Sequence, residues 1–430
     1  MANTYLTRTP ASAGNRDKWT YSAWVKRGNL GAYSNIIQAS GSSSNDSDYL
    51  YFNATDSLDL HLVSGGTPHG KLYTNRKFRD TSGWYHIVIV YDSGNATSGD
   101  RLIMYINGVR ETSFSTALYP SQNQDSVLTL GSGGIDIGRD GSSSGSGYYE
   151  GLMSHLHLCD GYAYPASTFG ETDATTGEWK INTSPTVTYG TNGFFILKDG
   201  NSITDSSPNS NNFTLGGGTL TNTEDCPSDV FATMNPVDKY AVGLSNGNNT
   251  VTNENNASTI VLSTLAVSSG KYYWEAKVED STADNFNVGI KKTGQHNYGV
   301  SGSSYNSTGW VYAVDGNIYH GGSNILSTGT TAAVGDIIGF ILDMDTGTLK
   351  LKKNGSDIYS GNAVITGLNT GDHYHVVQGA SQSKVSFNFG NGYFGTTAIA
   401  SAGTNASNIG VFEYDVPTGY TALSTKGLNN

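Results

Sequence analysis

The chain has 430 residues, enough for roughly two to three domains, and 55 of them are glycine while only 14% are charged. This composition, with Ser, Thr and Asn in most rows, favours many short strands joined by polar turns and disfavours long helices. The formal net charge is -12, and Lys and Arg are scattered rather than clustered, so nucleic acid is not an expected partner.

The N-terminal stretch "MANTYLTRTPASAG" has neither the basic region nor the apolar run of a secretory signal, and no window is apolar enough for a transmembrane helix. We therefore expect a soluble protein, made in the cytosol and not inserted in a membrane, that is exported, if at all, by another route such as assembly into a particle. Cys159 and Cys226 are too few for a disulfide framework. Two reduced thiols are the simpler expectation, and a single bridge is the alternative.

The first half of the chain predicts an antiparallel β-sandwich. Its short segments alternate apolar and polar residues with a period of two, and clusters of Gly, Ser, Asn and Asp separate them. These segments are "WTYSAWVKRG", "SNIIQAS", "YLYFNA", "LDLHLVSG", "GWYHIVIVYDS", "RLIMYING" and "GLMSHLHLCDG". In "WYHIVIVYD" both sets of alternate residues are largely apolar, which is typical of a strand in the middle of a two-layer stack.

Asn-Gly pairs predict one tight hairpin in each half of the chain. Asn107 and Gly108 follow "RLIMYI", and Asn354 and Gly355 follow "TLKLKK". Both central residues of such a turn need positive φ, which Asn and Gly adopt most readily. The occurrence of this hairpin motif once in each half of the chain indicates two sandwiches in tandem.

The motifs of the first half also occur in the order of a known family. "WTYSAWVKRG", "GWYHIVIVYDS", "LIMYINGVRE", "IDIGRDG" and "YYEGLMSHLHLCDGYAYPASTFGE" resemble the laminin-G-like, concanavalin A-like jelly roll. The resemblance covers residues 1–185 and implies a two-sheet antiparallel sandwich. Residues 186–240, rich in Gly, Pro, Asn and Ser, then predict a linking segment. Its stretch "NGFFILKDG" has the pattern of a strand that lies against a sheet.

The second half resembles the SPRY domain, again a two-sheet antiparallel sandwich. The match rests on "GKYYWE", on "GDIIGFILDMDTGTL", on the second Asn-Gly hairpin and on "SKVSFNFG". We assign residues 241–398 to this domain and residues 399–430 to a C-terminal anchoring tail. The predicted fold class is thus all-β, with two tandem sandwiches.

The tail "FEYDVPTGYTALSTKGLNN" and the upstream stretches "SSPNSNNFT" and "CPSDVFATMNPVD" resemble virion proteins of tailed, marine-type bacteriophages that contain SPRY. The resemblance implies a particle-surface protein, such as a tail fibre, an appendage or a capsid fibre. Its partners would be other virion proteins and host-surface polysaccharide. It also implies a homo-oligomer, and phage fibres are commonly trimers. A purely structural decoration protein and a glycan depolymerase remain alternatives.

Catalytic motifs are missing from the sequence. The metal-protease, acyl-transfer, P-loop and paired-cysteine signatures do not occur, and neither does the strand of alternating carboxylates that some concanavalin-like glycoside hydrolases carry. The nearest carboxylate pair is Glu275 and Glu279, which we interpret as surface positions of a strand. We therefore expect a protein that is not an enzyme.

Calcium is the cofactor that the laminin-G resemblance implies, through loop carboxylates at the rim of the sandwich. The candidates are Asp46, Asp48, Asp136 and Asp140, which together with carbonyl groups could supply the hard oxygens that calcium needs. Ordinary turn chemistry is the alternative for the same residues. The pairs "HLH" (His155, His157) and "HYH" (His373, His375) have metal-ligand spacing on a strand, but no third ligand is evident.

Aromatic residues in polar loops are the candidate glycan-binding groups. Their rings suit the C–H faces of sugars, and the neighbouring Asn, Ser and Gly suit the hydroxyl groups. Exposed sandwich tyrosines or subunit contacts would explain the same pattern. The candidates are Tyr148, Tyr149, Tyr162, Tyr164, Tyr298, Tyr305, Trp310 and Tyr312.

Overall fold

A computed structural model of the chain describes residues 3–41, 45–131, 133–141, 147–198, 202–253, 259–281, 286–294, 309–379 and 383–429. The predicted fold class is confirmed, because the protein is nearly all-β and its sheets are antiparallel apart from one short parallel pairing. The chain divides into two compact units, Met1–Asn222 and Thr223–Asn430. No helix among these residues is long and apolar enough to cross a membrane.

The first unit contains an eight-stranded sheet, a six-stranded sheet and a small two-stranded sheet. Its strands are β1 (Tyr5–Arg8), β2 (Lys18–Arg27), β3 (Ser34–Ser40), β4 (Ser47–Phe52), β5 (Leu58–Ser64), β6 (Thr67–Thr74), β7 (Tyr85–Asp92), β8 (Leu102–Ile106), β9 (Val109–Arg110), β10 (Phe114–Leu118), β11 (Ile135–Ile137), β12 (Gly151–Asp160), β13 (Gly170–Thr172), β14 (Trp179–Ile181), β15 (Phe194–Ile196) and β16 (Thr214–Gly217). Short 3₁₀ turns cover Ser98–Asp100 and Ala166–Thr168. The sheet orders are β10-β6-β5-β4-β3-β11-β1-β16, β15-β12-β2-β7-β8-β9 and β13-β14.

The core of the first unit lies between its two large sheets. Alternate residues of β4 and β5, such as Leu50 and Leu60, point inward and meet Ile89 and other residues of the six-stranded sheet. Strand β7 lies between β2 and β8 and is buried on both faces, as its two apolar sets of residues predicted. Its inward set belongs to the main core, while Val88 and Val90 belong to a second cluster on the opposite face.

The second unit contains two large sheets and one two-stranded sheet. Its strands are β17 (Met234–Tyr240), β18 (Gly243–Ser245), β19 (Thr250–Asn253), β20 (Ile260–Val267), β21 (Lys271–Ser281), β22 (Asn287–Lys292), β23 (Gly309–Ala313), β24 (Asn317–His320), β25 (Ser323–Ser327), β26 (Ile337–Asp343), β27 (Thr348–Lys353), β28 (Ser356–Asp357), β29 (Tyr374–Gln378), β30 (Ser383–Asn388), β31 (Tyr393–Phe394), β32 (Thr397–Ala398) and β33 (Thr421–Ala422). A 3₁₀ turn covers Tyr359–Gly361, and the short helix α1 covers Thr425–Leu428. The sheet orders are β17-β20-β29-β22-β23-β24-β25, β18-β19-β30-β21-β26-β27-β28 with β33 parallel to β21, and β31-β32.

The boundary between the units falls inside the stretch 186–240 that the sequence assigns to a linking segment. Strand β15, which contains the predicted strand of "NGFFILKDG", pairs with β12 in the six-stranded sheet. Strand β16 pairs with β1 at the edge of the eight-stranded sheet. The stretch up to Asn222 is therefore an integral part of the first unit.

Both predicted Asn-Gly hairpins are present, and they are built alike. Asn107 has φ 48° and its Oδ1 accepts a hydrogen bond from the N–H of His86, while its own N–H bonds back to the His86 carbonyl. Asn354 has φ 49° and makes the same two bonds to Ile337. The side chain and the N–H of each Asn thus add one more pair of hydrogen bonds to the neighbouring strand, β7 for Asn107 and β26 for Asn354.

In each unit, a segment later in the chain than the Asn-Gly hairpin packs over the outer face of one sheet. In the first unit, Phe169 and Trp179 pack against the outer face of the six-stranded sheet. In the second, Phe412 and Val416 pack on the outer face of the sheet that contains β21. The residues of the predicted tail therefore form part of the packed second unit.

Candidate functional site

Five aromatic side chains form a continuous line on the outer face of the eight-stranded sheet. We call this group the tyrosine face; it consists of Tyr33, Tyr49, Tyr51, His61 and Tyr73. Successive ring centroids along the line Tyr33, Tyr51, Tyr49, His61, Tyr73 lie 5.9, 5.5, 5.0 and 6.1 Å apart. Tyr33 is 61% exposed and the other four are partly exposed.

The register of three neighbouring strands creates this line. Tyr49 of β4 lies opposite His61 of β5, and Tyr51 lies opposite Asp59. Asp59 in turn lies opposite Tyr73 of β6. Because side chains alternate between the two faces of a strand, the leucines between these residues point into the core and all these aromatic groups point outward.

Hydrogen bonds fix the polar groups of the tyrosine face. The Tyr49 hydroxyl lies 2.8 Å from Nδ1 of His61, and the Tyr73 hydroxyl lies 3.3 Å from the same nitrogen. The Asp59 carboxylate, which lies in register between Tyr51 and Tyr73, accepts hydrogen bonds from Nδ2 of Asn53 and from the hydroxyl of Ser57.

Burial and nearby charges keep these rings neutral. Burial, together with Tyr73 and Asp140, raises the pKa of Tyr49 to about 12. Burial and the Asp59 carboxylate raise the pKa of Tyr51 and of Tyr73. Burial and the positive charge of Lys71 lower the pKa of His61 to about 4. At neutral pH Tyr49, Tyr51, His61 and Tyr73 are thus uncharged.

The loop after β11 borders the tyrosine face on the β3 side. The N–H of Gly141 donates to Oε1 of Gln38, which lies opposite Tyr49, and Nδ2 of Asn35 donates to the Gly147 carbonyl. Tyr148 of this loop lies 6.3 Å from the ring of Tyr5. One predicted candidate, Tyr148, therefore lies on this side of the sheet.

The other predicted aromatic candidates are dispersed. Tyr162 and Tyr164 stack 5.9 Å apart in the segment that covers the six-stranded sheet. Tyr149 is partly buried beside the first core, and its hydroxyl donates to the Lys26 carbonyl. Trp310 stacks 4.2 Å from His320 beside the second core.

Tyr312 is only 1% exposed, and its hydroxyl donates to the Thr330 carbonyl, so its ring offers no face to a sugar. The physical reason is that Tyr312 points to the core side of β23. Tyr298 and Tyr305 lie outside the described residues. Within the first unit, the four candidates Tyr148, Tyr149, Tyr162 and Tyr164 therefore do not form one site.

The four candidate calcium ligands do not converge either. Asp48 lies in register with Ala39 and Ile135 of the neighbouring strands, which are core residues, whereas Asp136 lies opposite Gln38 on the other face. One Asp48 oxygen accepts hydrogen bonds from the N–H groups of Val127 and Leu128. Burial raises the pKa of Asp48 to about 7.

The remaining three carboxylates lie in loops or on the outer face. Asp46 accepts a bond from the Gly65 N–H, and Asp136 forms an ion pair with Arg139 at 3.0 Å. Throughout the described ranges, no group of three or more His, Cys, Asp or Glu is arranged to hold a metal. The residues present thus do not fit the calcium site that the resemblance implies.

The histidine pairs are structural as well. His155 has φ 49° at a bulge in β12, and its ring centroid lies 5.7 Å from that of Phe195. His157 stacks 3.9 Å from the same ring. His375 bonds the Ser263 carbonyl at 2.8 Å, while His373 lies 3.3 Å from the hydroxyl of Ser268.

Ser22 and His86 have the spacing of an activated serine, with 2.8 Å between Oγ and Nε2. However, Trp179 donates its indole N–H to Nδ1 of His86 at 2.9 Å. Because the indole nitrogen can only donate, Nδ1 carries no proton and the neutral ring must be protonated at Nε2. His86 therefore donates to Ser22, whereas a general base would have to accept from it. Burial lowers the pKa of His86 to about 3, which keeps the ring neutral.

Glu275, which we interpreted as a surface position of its strand, is not one. It is fully buried, because the chain near residue 413 covers its strand. Its two oxygens accept bonds from the N–H groups of Glu413 and Tyr414, from Nδ2 of Asn388 and from the hydroxyl of Tyr273. Burial raises its pKa to about 7 against the effect of these donors. Glu275 thus holds the C-terminal segment against β21 through these hydrogen bonds, and its carboxylate is not exposed in a groove.

Comparison with known families assigns both halves of the chain. Residues 2–166 match the laminin G profile described as the concanavalin A-like lectin/glucanases superfamily, and residues 271–392 match the SPRY domain. No curated protein sequence matches the chain. The chain therefore contains a laminin G-like, concanavalin A-like domain followed by a SPRY domain.

Several solved structures are similar to parts of the chain. The SPRY domain of human HERC1 is 23% identical over 36% of this chain and 96% of its own, with a TM-score of 0.31. A heptameric SAP-like pentraxin from Limulus polyphemus is 14% identical over 50% of this chain and 90% of its own, with a TM-score of 0.33. A protein from Bacteroides ovatus, provisionally described as carbohydrate-binding, is 16% identical over 51% of this chain and 58% of its own, with a TM-score of 0.36.

Proposed function

We propose that this chain, a concanavalin A-like domain followed by a SPRY domain, is a glycan-binding attachment protein without enzymatic activity. The observation that carries the proposal is the tyrosine face. Its contiguous rings provide apolar surface for the C–H faces of sugars, and its hydroxyl groups provide hydrogen bonds at fixed positions. A carbohydrate-binding or protein-contact role fits both families.

The contrast between the two sheet faces of the first unit supports this assignment. The outer face of the six-stranded sheet is closed by the apolar segment that includes Phe169 and Trp179. On the eight-stranded sheet, Tyr33 is 61% exposed and Tyr51, beside it, is partly exposed. A large aromatic surface left partly open beside polar groups is typical of a recognition surface.

We further propose that the protein acts on the surface of a tailed-phage particle, as a tail fibre, appendage or capsid fibre. There it would form a homo-oligomer, contact other virion proteins and attach to host-surface polysaccharide. This proposal is supported by the C-terminal run "PTGYTALSTKGL" and its resemblance to phage virion proteins. Mass spectrometry of purified particles tests it, and absence of the chain from intact particles would overturn it.

Two observations favour binding without cleavage. The buried carboxylate of Glu275 is engaged by four donors, and the Ser22–His86 pair has the tautomer opposite to that of a nucleophile and its base. A glycan depolymerase would instead place two carboxylates in a groove at roughly 5 to 10 Å from each other.

Retention on immobilised bacterial polysaccharides, with release of reducing ends measured in the same samples, tests the function directly. We expect retention without new reducing ends, and weaker retention for Tyr33→Ala, whose exposed side chain can be removed without opening the core. Val237→Ala, a change at a similarly exposed residue of the second unit, is the matched control and should retain fully. Release of reducing ends would establish the depolymerase. Failure of every polysaccharide to bind would favour the structural decoration protein.

A further inference from the structure

A segment of the first unit lies across the outer face of the six-stranded sheet, and we call its residues 164–189 the strap. We propose that protonation of the histidines buried beneath the strap releases it, so that acidification uncovers this sheet face. The inference goes beyond the proposed function, because the tyrosine face belongs to the other large sheet. It is carried by the hydrogen bond that ties the strap to His86 and by the small amount of structure that holds the strap in place.

Trp179 ties the middle of the strap to the sheet. Its indole N–H donates to Nδ1 of His86 at 2.9 Å, and the Ser22 hydroxyl lies 2.8 Å from Nε2 on the other side of the ring. A protonated imidazole carries a proton on both nitrogens, whereas the indole nitrogen can only donate. Protonation of His86 therefore sets two N–H groups against each other and breaks the hydrogen bond to the strap.

The surroundings of His86 do not compensate for a positive charge. Stacking between the rings of Trp24 and Trp179, at 4.7 and 5.9 Å, attracts a cation, but burial outweighs it and lowers the pKa of His86 to about 3. None of the groups that face His86 is a carboxylate. They are Ser22, Trp24 and Lys26 of β2, Tyr105 of β8, the turn residue Asn107, His157 of β12 and Trp179. The charged groups farther out are paired or exposed, namely Arg110 with Asp100, Lys180 with Asp173, and the exposed Glu171 and Glu178.

A second buried histidine lies beneath the same strap. His157 is 1% exposed, and its Nδ1 lies 3.0 Å from the hydroxyl of Tyr189 at the end of the strap. It is in register with Ser22, the partner of His86, so a charge on either histidine opposes a charge on the other. Asp205, near Tyr189, is engaged by the N–H of Phe195. Burial thus lowers the pKa of His157 well below its usual value.

Little structure holds the strap in place. Its strands β13 and β14 form a two-stranded sheet of their own, and such a hairpin is marginal by itself in water. Ala166 and Phe169 are its buried apolar residues, while Trp179 and Val187 are only partly buried. A segment with so few buried contacts can open without unfolding of the sandwich beneath it.

The direction of the pH dependence follows from the lowered pKa of both histidines in the closed state. The hold on the strap is fully present above the pKa of a free histidine, roughly 6.5, and is lost as pH falls below it. Between about pH 7.5 and 5.5, each such histidine raises the ratio of open to closed strap by about tenfold.

Cys159 is the reporter for the test, because it is fully buried beneath the strap, whereas Cys226 belongs to the second unit. The experiment measures how fast an aromatic disulfide modifies Cys159, identified by peptide mass, relative to the same thiol in the urea-unfolded chain at the same pH. This ratio should rise at least about tenfold from about pH 7.5 to 5.5.

Hydrogen exchange of β4 and β5 separates opening of the strap from unfolding of the whole unit. The open fraction that these strands report should be at least about tenfold smaller than the fraction that Cys159 reports at each pH. Equal fractions would mean that Cys159 is reached only when the unit unfolds, and would overturn the proposal.

His86→Gln keeps an acceptor for Trp179 but cannot be protonated, so the rise should shrink by about tenfold. His373→Gln, at an exposed histidine of the second unit, is the matched control and should leave the rise unchanged. Trp179→Phe removes the opposed donor, so the strap should be more open at about pH 7.5 and its opening less sensitive to pH. No rise in the unmodified chain, or the same rise in His86→Gln, would overturn the proposal.

Discussion

Replacing Gly108 with alanine places a methyl group against the indole ring of Trp179. Gly108 is the second turn residue of the first Asn-Gly hairpin, with φ +78°, and an added Cβ would overlap the ring atoms of Trp179. The ring must then move away from His86, to whose Nδ1 it donates a hydrogen bond of 2.9 Å and over which it stacks at 5.9 Å. The turn therefore has two requirements, positive φ and an empty Cβ position.

The magnitude of this effect can be worked out term by term. An alanine at positive φ costs about 1–2 kcal/mol. Displacement of Trp179 adds the loss of a buried hydrogen bond, about 1 kcal/mol, and of an aromatic pair, about 0.5–1.5 kcal/mol. Gly108→Ala should thus lower the free energy of unfolding of the first unit by about 2.5–4.5 kcal/mol. Gly65 provides the control, since it has φ +60° and nothing within 4 Å of its Cβ position. Gly65→Ala should cost about 1–2 kcal/mol.

A double-mutant cycle with Trp179→Ala isolates the contact. In that background Gly108→Ala should cost no more than Gly65→Ala, so the coupling energy between Gly108 and Trp179 should be about 2 kcal/mol. Urea unfolding followed by hydrogen exchange of peptides from β7 and β8 reports on the first unit alone. Equal costs for Gly108→Ala and Gly65→Ala in the unmodified chain, or a coupling energy near zero, would refute this explanation of the turn.

Glu275→Ala should leave three of its four donors without partners, since Nδ2 of Asn388 also donates to the Val411 carbonyl, and should cost about 3–5 kcal/mol, measured as faster hydrogen exchange and proteolysis of residues 409–422. Glu279→Ala on the same strand should cost under about 0.5 kcal/mol. Arg27→Met removes one partner of a buried ion pair and should cost about 3–5 kcal/mol in thermal or urea unfolding. Arg79→Met removes an arginine that is 62% exposed and bonds the same aspartate, and should cost under about 1 kcal/mol; equal losses would contradict the role of burial. Asp48 has its pKa raised to about 7 in the folded chain, so its contribution to stability is fully present below the unfolded pKa and is lost as pH rises toward 7. Asp48→Asn should remove this slope from a series of unfolding curves between about pH 4 and 8, and an unchanged slope would show that another group causes it.

Local sequence pattern was sufficient for much of the fold. The Asn-Gly pairs predicted both hairpins, because the turn needs positive φ at two successive residues and the strands on either side of it, β8 with β9 and β27 with β28, pair directly. The two apolar sets of residues in β7 gave a strand buried on both faces. These features depend on residues that are close in the sequence, and so their physical causes can be recognised there.

The candidate site depended on information that local pattern does not contain. Tyr49 and Tyr51 alternate with Asp48 and Leu50, but only the pairing of β4 with β3 and β5 decides which of the two sets faces outward. We chose tyrosines in predicted loops as candidates, and therefore the strand residues of the tyrosine face were not among them. The signal that could have found it is the repeated outward aromatic in "DYLYF" and "KLYT".

The burial of Glu275 was missed for a related reason. The groups that cover it come from residues 138 and 139 positions further along the chain. The residue pattern of β21 is that of an ordinary sheet strand. No residue near Glu275 in the sequence indicates that a later segment will cover the outer face of this strand. The burial of Asp48 and of His86 has the same origin, since each is covered in part by a segment distant in sequence: the turn at Val127 for Asp48 and β14 for His86.

The pairing of β1 has a consequence for the order in which the first unit can form on the ribosome. This strand is made before the rest of the first unit, yet both of its neighbours, β11 and β16, come from residues 135–137 and 214–217. At about 5–20 residues per second, β1 waits roughly 10–40 s for its last partner. During that time its edge is free to pair with another nascent chain, which makes the rate of translation, and chaperones that shield strand edges, factors in the yield of folded protein.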